Sequence, residues 1–350
     1  MTEKKPSIKI LIGYFKPCYL LKNTILTPIH LGRACVKETS RNGALDRKDV
    51  KWMKHHMIGD DTGENISKYN RQYCEVTAQY WAWKNYEKLG NPDYIGFMHH
   101  RRHFLFKDTL YKNKELNVIE KCYSRIHLPF VTVDYMEKAG LTEEIIQDTC
   151  TQYDCIVVEQ GDMRLLNFTT LRDDYELHID GSHVEDFDLM LKTIVDLYPE
   201  YKDEVEELKG TYSKYFYNMF IMKKELFFDC CEFMFRILET LRSKIDVSSY
   251  SVNGKRTLGY LSELVFCVYM YKLRKNPHIK IKELKVAYFE DPQTQKNLVK
   301  KYRKLKNRYL KYRVLSELTW GKCQKKIKEK RNSLKLKMKQ FKTLNKEALS

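Results

Sequence analysis

The chain has 350 residues, of which 43% are hydrophobic and 13% aromatic, and this composition excludes an intrinsically disordered protein. Its formal net charge is +17, but the excess lies at one end. Residues 296–350 contain 20 of the 63 Lys and Arg residues and only 3 of the 46 Asp and Glu residues. We therefore expect one neutral folded domain over residues 1–295 and a basic tail over residues 296–350.

The ten cysteines are scattered through apolar segments, and none belongs to a C-x-x-C pair. This spacing argues against structural zinc and against a disulfide framework, so we expect free thiols in a reducing compartment. The sequence contains neither a secretory leader pattern nor an uninterrupted apolar stretch of 18 residues. We expect a cytosolic protein, or one that rests on a membrane without crossing it.

The first third of the chain predicts strands, a loop and a helix. "IKILIGYF" has the composition of a buried strand, "PIHLGRACVKE" is ambiguous between helix and irregular structure, and residues 40–65 resemble an ordered loop. "NRQYCEVTAQYWAWKNYEKLG" predicts one helix that ends at Gly90, and "PDYIGFM" predicts a second buried strand. Strands without polar alternation favour an α/β fold with a mostly parallel sheet covered by helices.

Further strands and helices follow. "YDCIVVEQ" predicts a buried strand, and "SHVEDFDLMLKTIVDLYPEY" predicts a helix with Ser182 as its N-cap. Residues 217–222 predict a strand that runs into a helix, and "TLGYLSELVFCVYMYKL" predicts a second apolar helix. "KIKELKVAYFED" predicts one short closing strand.

The basic tail has helical periodicity and predicts one basic amphipathic helix, or two that are broken near Gly321. The apolar stripe consists of Leu298, Tyr302, Leu305, Tyr309 and Tyr312, and a rougher one consists of Trp320, Ile327, Leu334, Met338 and Phe341. A membrane-surface anchor, a nucleic-acid arm and a solvated helix are all compatible with this pattern. The apolar spacing favours an anionic membrane surface, and the neutral body carries no nucleic-acid-binding signature.

Five basic or imidazole side chains directly follow the strand "YIGFM", namely His99, His100, Arg101, Arg102 and His103. The carboxyl ends of parallel strands open onto the ligand crevice of an α/β sheet. There, arginine and histidine can hold a phosphate or a diphosphate. Alternatively, the arginines pair with acidic neighbours and the histidines are ordinary surface groups. Spacing alone leaves both interpretations open.

Carboxylates occur in three informative places. Asp60 and Asp61, in "IGDDTGENIS", suit either a metal or sugar ligand or an ordinary surface turn. Asp186 and Asp188 form a D-x-D sequence, a common metal-binding pattern of sugar-nucleotide transferases, but compensation of a helix dipole explains them better. Glu263 lies within an apolar helix, where a carboxyl either forms an ion pair or has a raised pKa suited to proton transfer.

Several blocks together resemble the bacterial capsular and exopolysaccharide glycosyltransferases of domain-of-unknown-function family 4422. The main block is "IGDDTGENISKYNRQYCEVTAQYWAWKN" followed by "DYIGFMHHRRHF", and "LTPIHLGRA", "HVEDFDLM", "YNMFIMKKELF" and "RTLGYLSELVF" match in the same order. The resemblance covers about residues 8 to 290. His100 stands where the family pattern has Tyr, and residues 159–175 diverge.

The resemblance implies a GT-A-like fold and a hexosyltransferase, of galactosyl or galactofuranosyl type. It would move a sugar from a nucleotide-diphosphate donor, UDP-linked by preference, to a lipid-linked oligosaccharide. This places the protein in surface-polysaccharide synthesis, on the cytoplasmic face of the cell membrane. The alternative is a non-catalytic protein of the same fold that binds a nucleotide or a glycan. A protein that binds nucleic acid through its basic tail is a less favoured alternative.

Glycosyl transfer leaves negative charge on a departing diphosphate, which a metal or fixed cations must neutralise. The expected diphosphate ligands are Gly13, Lys16, His99, His100, Arg101 and Arg102. The expected base is Glu263, and Asp60 and Asp61 are the second choices. The expected ligands of sugar hydroxyls are Asn65, Asn218 and His183. Asp186 and Asp188 are the candidate ligands if Mn²⁺ or Mg²⁺ takes part.

Overall fold

The structure is a computed structural model that describes residues 5–38, 45–112, 118–179, 181–290, 292, 295–318 and 321–344. The strands are β1 Ile8–Tyr14, β2 Leu26–His30, β3 Ile58–Gly59, β4 Tyr94–His99, β5 Arg102–Phe104, β6 Val118–Glu120, β7 Arg125–Leu128, β8 Cys155–Val158, β9 Gly161–Asp162, β10 Ser213–Lys214, β11 Phe220–Lys223, β12 Ile281–Leu284 and β13 Val286–Phe289. The helices are α1 Arg47–His56, α2 Asn70–Tyr73, α3 Val76–Lys84, α4 Thr109–Lys112, α5 Tyr135–Ala139, α6 Glu143–Cys150, α7 Leu171–His178, α8 Val184–Leu197, α9 Lys202–Gly210, α10 Lys224–Lys244, α11 Thr257–Arg274, α12 Gln295–Leu318 and α13 Gly321–Leu344.

The main sheet has a central part with the strand order β3-β2-β1-β4-β11-β8-β12. In this part β11 is antiparallel to both of its neighbours, and the other strands all point the same way. Strands β5-β13-β7-β6 continue the sheet from the end of β4, where His99 pairs with Arg102. The prediction of an α/β fold with a mostly parallel central sheet is therefore confirmed.

The core explains why these strands carry apolar runs. In β1, β4, β8 and β11 nearly every side chain is buried, because helices such as α3 and α10 pack over the sheet. The nine cysteines in the described part of the chain are free thiols, and most of them are buried, as their apolar surroundings predicted. Within the described residues, no helix combines the length and the apolar character that crossing a bilayer requires.

The structure corrects three predictions near the start of the chain. The start of "PIHLGRACVKE", predicted as ambiguous between helix and irregular structure, belongs to strand Leu26–His30, which pairs with β1 along its whole length. The predicted loop over residues 40–65 contains helix α1, which Asp46 caps by accepting a hydrogen bond from the amide of Asp49, and strand β3. The single predicted helix is broken at Cys74, whose φ of 52° ends α2 before α3 begins. Gly90 ends the following turn with a φ of 82°, as predicted.

Three later boundaries also differ from the predictions. His183, not Ser182, caps α8, because the hydroxyl of Ser182 donates instead to the carbonyl of Tyr175 at 2.7 Å. The predicted strand over residues 217–222 begins only at Phe220, because the two residues after Phe216 have left-handed backbones. The single predicted closing strand is two strands, β12 and β13, which lie in different parts of the sheet.

The tail forms an antiparallel helical hairpin, in which α13 begins at the predicted break. Ser316 joins the two helices: its carbonyl accepts from Gln324 at 3.2 Å and its hydroxyl accepts from Arg331 at 3.3 Å. The described members of the predicted stripes are half-buried or buried, and they are Tyr302, Leu305, Tyr309, Tyr312, Ile327, Leu334 and Met338. The side chains of Leu298, Trp320 and Phe341 lie outside the described residues.

Candidate active site

The site lies at one edge of the sheet, where β1 and β4 end and β11 begins. Ligands of open α/β sheets bind at the carboxyl ends of the parallel strands. Because β11 runs in the opposite direction, the residues that precede it come to the same edge as the end of β4. Residues 99–102 and residues 217–218 therefore meet there, and α11 brings Glu263 to them.

Tyr217 and Asn218 are consecutive non-glycine residues in left-handed conformations, with φ of 76° and 49°. Such a residue costs roughly 1–2 kcal/mol, and strained backbone of this kind clusters at functional sites. Three elements hold the pair: the amide of Tyr217 donates to Glu263 at 3.0 Å, its carbonyl accepts from His99 at 2.6 Å, and the carbonyl of Asn218 accepts from Gln79 at 2.9 Å. The strained turn thus links β4, α3 and α11.

Two carboxyl groups face this turn. Asn218 donates through its side-chain amide to Glu75 at 2.9 Å and to the hydroxyl of Ser262 at 3.0 Å. Burial, together with the neighbouring Glu75, raises the pKa of Glu263 to about 7, against the opposing effects of Lys214, the Tyr217 amide and Arg102. A pKa of about 7 lies in the range that suits a general base at neutral pH.

Lys214 does not cancel this effect because it has a closer partner. Its ammonium group lies 2.6 Å from Asp174, and both side chains are buried. Burial lowers the pKa of Lys214, but Asp174 and Glu263 outweigh it, so that the pKa is raised and the lysine stays charged. Of the two interpretations of Glu263, the structure therefore supports a perturbed carboxyl rather than a simple core ion pair.

Arg102 is the cation at this edge that is best placed to receive an anionic ligand. Its guanidinium lies 4.5 Å from the ring centre of Tyr217 and 5.5 Å from that of Tyr288. Within the described part of the chain it forms no ion pair, and its buried Nε has no hydrogen-bond partner. Arg101, by contrast, lies 3.8 Å from a carboxylate oxygen of Glu290.

Arg125 adds a second cation beside the first. Its guanidinium lies 4.2 Å from the ring centre of Tyr288 and 4.3 Å from that of Tyr123, and it forms an ion pair with Glu120. With Arg101, whose guanidinium lies 5.8 Å from the same ring centre, three guanidinium groups share the ring of Tyr288. Arginine clusters of this kind, held by aromatic rings, suit the recognition of phosphate groups.

The three histidines of the basic run have different surroundings. Because a carbonyl can only accept, Nε2 of His99 carries the proton toward Tyr217, and burial lowers the pKa of this imidazole. His100 is buried, donates through Nδ1 to the carbonyl of Gly13 at 3.2 Å, and has a pKa held well below its ordinary value by burial and Arg101. His103 is buried against Tyr135, and burial lowers its pKa to about 3.

The other two expected diphosphate ligands border His100. Gly13 packs so closely on Leu31 that an added Cβ would lie 2.7 Å from it. Lys16 is close enough to lower the pKa of both His100 and Glu290. Of the expected cations, the structure therefore gathers Lys16, Arg101 and Arg102 at this edge, whereas His100 belongs to the interior.

Asp60 anchors the loop that follows β2. Its buried carboxylate accepts from the amides of Gly32 and Arg33 at 2.6 and 3.0 Å. It also accepts from the hydroxyls of Ser67 and Thr77 at 2.6 and 2.8 Å. Burial raises its pKa against these four donors. This is the environment of a structural carboxylate rather than of a base that an acceptor can reach.

The neighbours of Asp60 are also engaged locally. Asp61 forms an ion pair with Arg33. The side chain of Asn65 accepts from the amide of Ser67 at 3.2 Å and donates to the carbonyl of Gly63 at 2.8 Å. The turn interpretation of "IGDDTGENIS" therefore describes these contacts better than the sugar-binding interpretation.

The D-x-D residues project from different sides of α8, since residues two apart on a helix do not face each other. Asp186 accepts from Tyr250 at 3.0 Å and from Thr257 at 2.7 Å, and Asp188 pairs with Arg172 at 2.8 Å. No group of three or more His, Cys, Asp or Glu side chains in the described residues is arranged to hold a metal ion. Asp186 and Asp188 therefore do not fit as a metal-ligand set.

His183 stacks on the ring of Tyr250, with ring centres 3.8 Å apart. Together with the Asp186 contact, this stack ties the start of α8 to the segment before α11. It leaves the expected sugar-binding role of His183 untested.

The sequence did not point to four of the site residues, namely Glu75, Arg125, Tyr217 and Tyr288. Glu75 follows Cys74, whose positive φ breaks the helix that the sequence pattern predicted as continuous. The aromatic pair before "NMF" was a weak signal for Tyr217, because aromatic rings can stack on arginine, but nothing beside it in the sequence pointed to Arg102. Arg125 and Tyr288 lie on β7 and β13, and no local pattern brings those strands to Arg102.

A separate cleft of about 600 Å³ lies on the other side of α3, and neither Arg102 nor Glu263 borders it. Its lining includes Arg33, Trp81 and Lys88. Apolar surface dominates this cleft, which lacks the perturbed carboxyl and the unpaired guanidinium of the sheet edge. We therefore place the chemistry at the sheet edge.

Comparisons with known proteins identify the family of this chain. The family model described as domain of unknown function DUF4422 matches residues 9–276. No curated protein matches the chain. An apo structure of WbbM, a bifunctional glycosyltransferase, is similar, with 31% sequence identity and a TM-score of 0.69. The similarity covers 83% of this chain but only 46% of that one, so this chain spans less than half of WbbM.

Proposed function

This chain belongs to the DUF4422 family, and we propose that it is a glycosyltransferase that uses a nucleotide-diphosphate sugar as its donor. Its similarity to a bifunctional glycosyltransferase supports this proposal. The observation that carries it is that Arg102, which forms no ion pair with the residues the structure describes, and Glu263, a carboxyl of near-neutral pKa, both contact one strained turn. A departing diphosphate requires a cation, and an inverting transfer also requires a base for the acceptor.

The leaving group sets the first requirement. As the bond between the anomeric carbon and the diphosphate oxygen breaks, its electron pair stays with the diphosphate, whose charge must be neutralised. Arg102 is fixed between two rings, so little of its side-chain entropy is lost when it binds a phosphate oxygen. Arg101 and Lys16 lie near enough to add to the positive field at this edge.

The acceptor sets the second requirement. In a single displacement, an acceptor hydroxyl attacks the anomeric carbon while its proton passes to a base. Glu263 takes this proton, and the amide of Tyr217 holds its carboxylate in place. Asn218 orients Glu75 beside it, and the negative charge of Glu75 keeps the pKa of Glu263 high enough for proton transfer.

The finer assignments rest on the family resemblance. We propose a UDP-hexose donor of galactosyl or galactofuranosyl type and a lipid-linked oligosaccharide acceptor in surface-polysaccharide synthesis at the cytoplasmic face of the membrane. Because the carboxylates of Asp186 and Asp188 already accept from protein donors, no step is assigned to a metal held by them.

Donor binding and donor hydrolysis test the proposal. UDP-, GDP- and dTDP-sugars should be screened by thermal shift, since a ligand that binds the folded state raises its melting temperature. The stabilising donor should then be hydrolysed slowly by the parent chain and not by the Glu263→Gln variant. A donor that binds but is never hydrolysed or transferred would favour the non-catalytic alternative.

A further inference from the structure

We propose that the hairpin of α12 and α13 binds the surface of an anionic membrane, and that the outer face of α12 makes the contact. This proposal does not depend on the sugar-transfer reaction, because it concerns a surface of the chain beyond the family match, which ends at residue 276. The hairpin contains 19 Lys and Arg residues and 2 Asp and Glu residues, whereas the first 295 residues are neutral.

The apolar stripe that the sequence suggested for membrane contact is not available for it. Its described members on α12 lie at the seam between the two helices, where they face residues such as the buried Leu334 of α13. Helices that pack on each other bury these side chains and withdraw them from lipid. A membrane contact therefore needs a different face of α12.

A second stripe supplies that face. Leu310, Val314 and Leu318 are 37%, 49% and 70% exposed, and their spacing of four residues places them in one row. The row lies opposite the seam on the helix. Lys306 and Arg313 flank it on one side and Lys311 on the other, and all three are exposed. Leucine-type side chains rimmed by lysine and arginine fit the boundary between acyl chains and anionic headgroups.

The same geometry disfavours a nucleic acid as the partner. Stacking on bases needs exposed aromatic rings. The described tyrosines of α12, Tyr302, Tyr309 and Tyr312, are half-buried at the seam. The residues that remain outside are aliphatic and basic, which suits lipid better than bases.

Leu336, an exposed apolar residue of α13, serves as a control for the residues of α12. Leu336 is 57% exposed, but it lies two residues from the buried Leu334 and hence on the far side of α13. Packed helices are about 8–10 Å apart, which is about one Debye length in physiological salt. If α12 faces the membrane, Leu336 points away from it.

Vesicle co-sedimentation of the full-length chain tests the proposal. We expect binding to vesicles of phosphatidylcholine with one third phosphatidylglycerol, little binding to phosphatidylcholine alone, and release at high salt. The triple change Leu310→Asp, Val314→Asp and Leu318→Asp should abolish binding, whereas Leu336→Asp should leave it unchanged. Lys306→Gln, Lys311→Gln and Arg313→Gln together should weaken binding about 100-fold.

Two outcomes would overturn the proposal. Equal losses from Leu336→Asp and from the triple aspartate variant would show that α12 has no special role. Tighter binding of a single-stranded RNA than of the anionic vesicles, at the same ionic strength, would make the hairpin a nucleic-acid arm. Circular dichroism of each variant checks that the helices are retained, which is expected because every changed residue is exposed.

Discussion

The backbone amide of Tyr217 donates a 3.0 Å hydrogen bond to Glu263, the carboxyl whose pKa is raised to about 7. The same residue accepts from His99 through its carbonyl and lies under the guanidinium of Arg102. One strained residue therefore positions the proposed base and the proposed phosphate-binding cation together. Glu263 contacts the backbone of Tyr217, whereas Arg102 contacts its ring.

Replacing Arg102 by Ala should lower kcat about 10²- to 10³-fold, because a fixed cation at a developing negative charge contributes on that scale. Arg102→Lys should recover only part of this loss, since an ammonium group does not stack between two rings or bind two oxygens. Steady-state kinetics at saturating donor measures the effect. Arg101→Ala is the matched control, and a larger loss there would transfer the phosphate role to Arg101.

Replacing Glu263 by Gln should abolish transfer. In the parent chain kcat/KM should fall tenfold per pH unit below about pH 7, because the base must be deprotonated to accept a proton. A pH–rate profile tests this expectation. A flat profile between pH 5 and 7 with a slow Glu263→Gln variant would indicate that Glu263 has a structural role only.

Replacing Glu263 by Gln should stabilise the fold, although it abolishes transfer. The pKa of Glu263 in the folded chain lies above its ordinary value of 4.5. The protonated carboxyl therefore contributes to the free energy of unfolding in full below pH 4.5, and this contribution is lost as the pH rises through about 7. Gln does not ionise, so the variant should gain up to about 3 kcal/mol relative to the parent over this window. Urea unfolding at pH 4.5 and pH 8 measures the difference.

Glu75→Gln should move the acidic limb of the pH–rate profile to lower pH, because Glu75 raises the pKa of Glu263. The variant keeps an oxygen that can accept from Asn218, so the turn is expected to stay in place. Unchanged circular dichroism together with a shifted limb would support a positioning role. If the acidic limb of the pH–rate profile does not move, Glu75 does not raise the pKa of the base.

Asp60→Ala should destabilise the fold by about 3 kcal/mol or more without altering the pH profile, because it leaves four buried donors without their acceptor. Asp61→Ala, which removes a partly exposed ion pair, should cost about 1 kcal/mol or less. Chemical denaturation compares the two. Stability equal to that of the parent in Asp60→Ala would contradict the anchoring role.

Asp188→Asn should leave transfer within about twofold of the parent, because its carboxylate forms a half-exposed ion pair with Arg172. If Asp188 were a metal ligand, the variant would instead need more Mn²⁺ or Mg²⁺ to reach the same rate. A metal titration of parent and variant distinguishes the two roles.

The sequence predicted the features that depend on local pattern. Apolar runs such as "YIGFM" became buried strands, and the rule that ligands meet the ends of such strands located His99 to Arg102 correctly at the sheet edge. It could not rank Arg101 against Arg102, because the ranking depends on Glu290, which lies against Arg101, and on Tyr217, whose ring lies against Arg102, and both are distant in the sequence. Nor could helical periodicity reveal that the helix breaks at Cys74 and that Glu75 lies beside Asn218, since such breaks depend on tertiary contacts.

Because Arg102 acts electrostatically on Glu263, donor binding should change the pKa of Glu263. Arg102 lowers the pKa of Glu263, so a diphosphate that neutralises this guanidinium removes the lowering. Donor binding is then linked to proton uptake, and the acidic limb for kcat should lie at higher pH than the limb for kcat/KM. Calorimetry of donor binding in buffers of different ionisation enthalpy measures the number of protons taken up. Proton uptake on donor binding would show that Arg102 and Glu263 are electrostatically coupled.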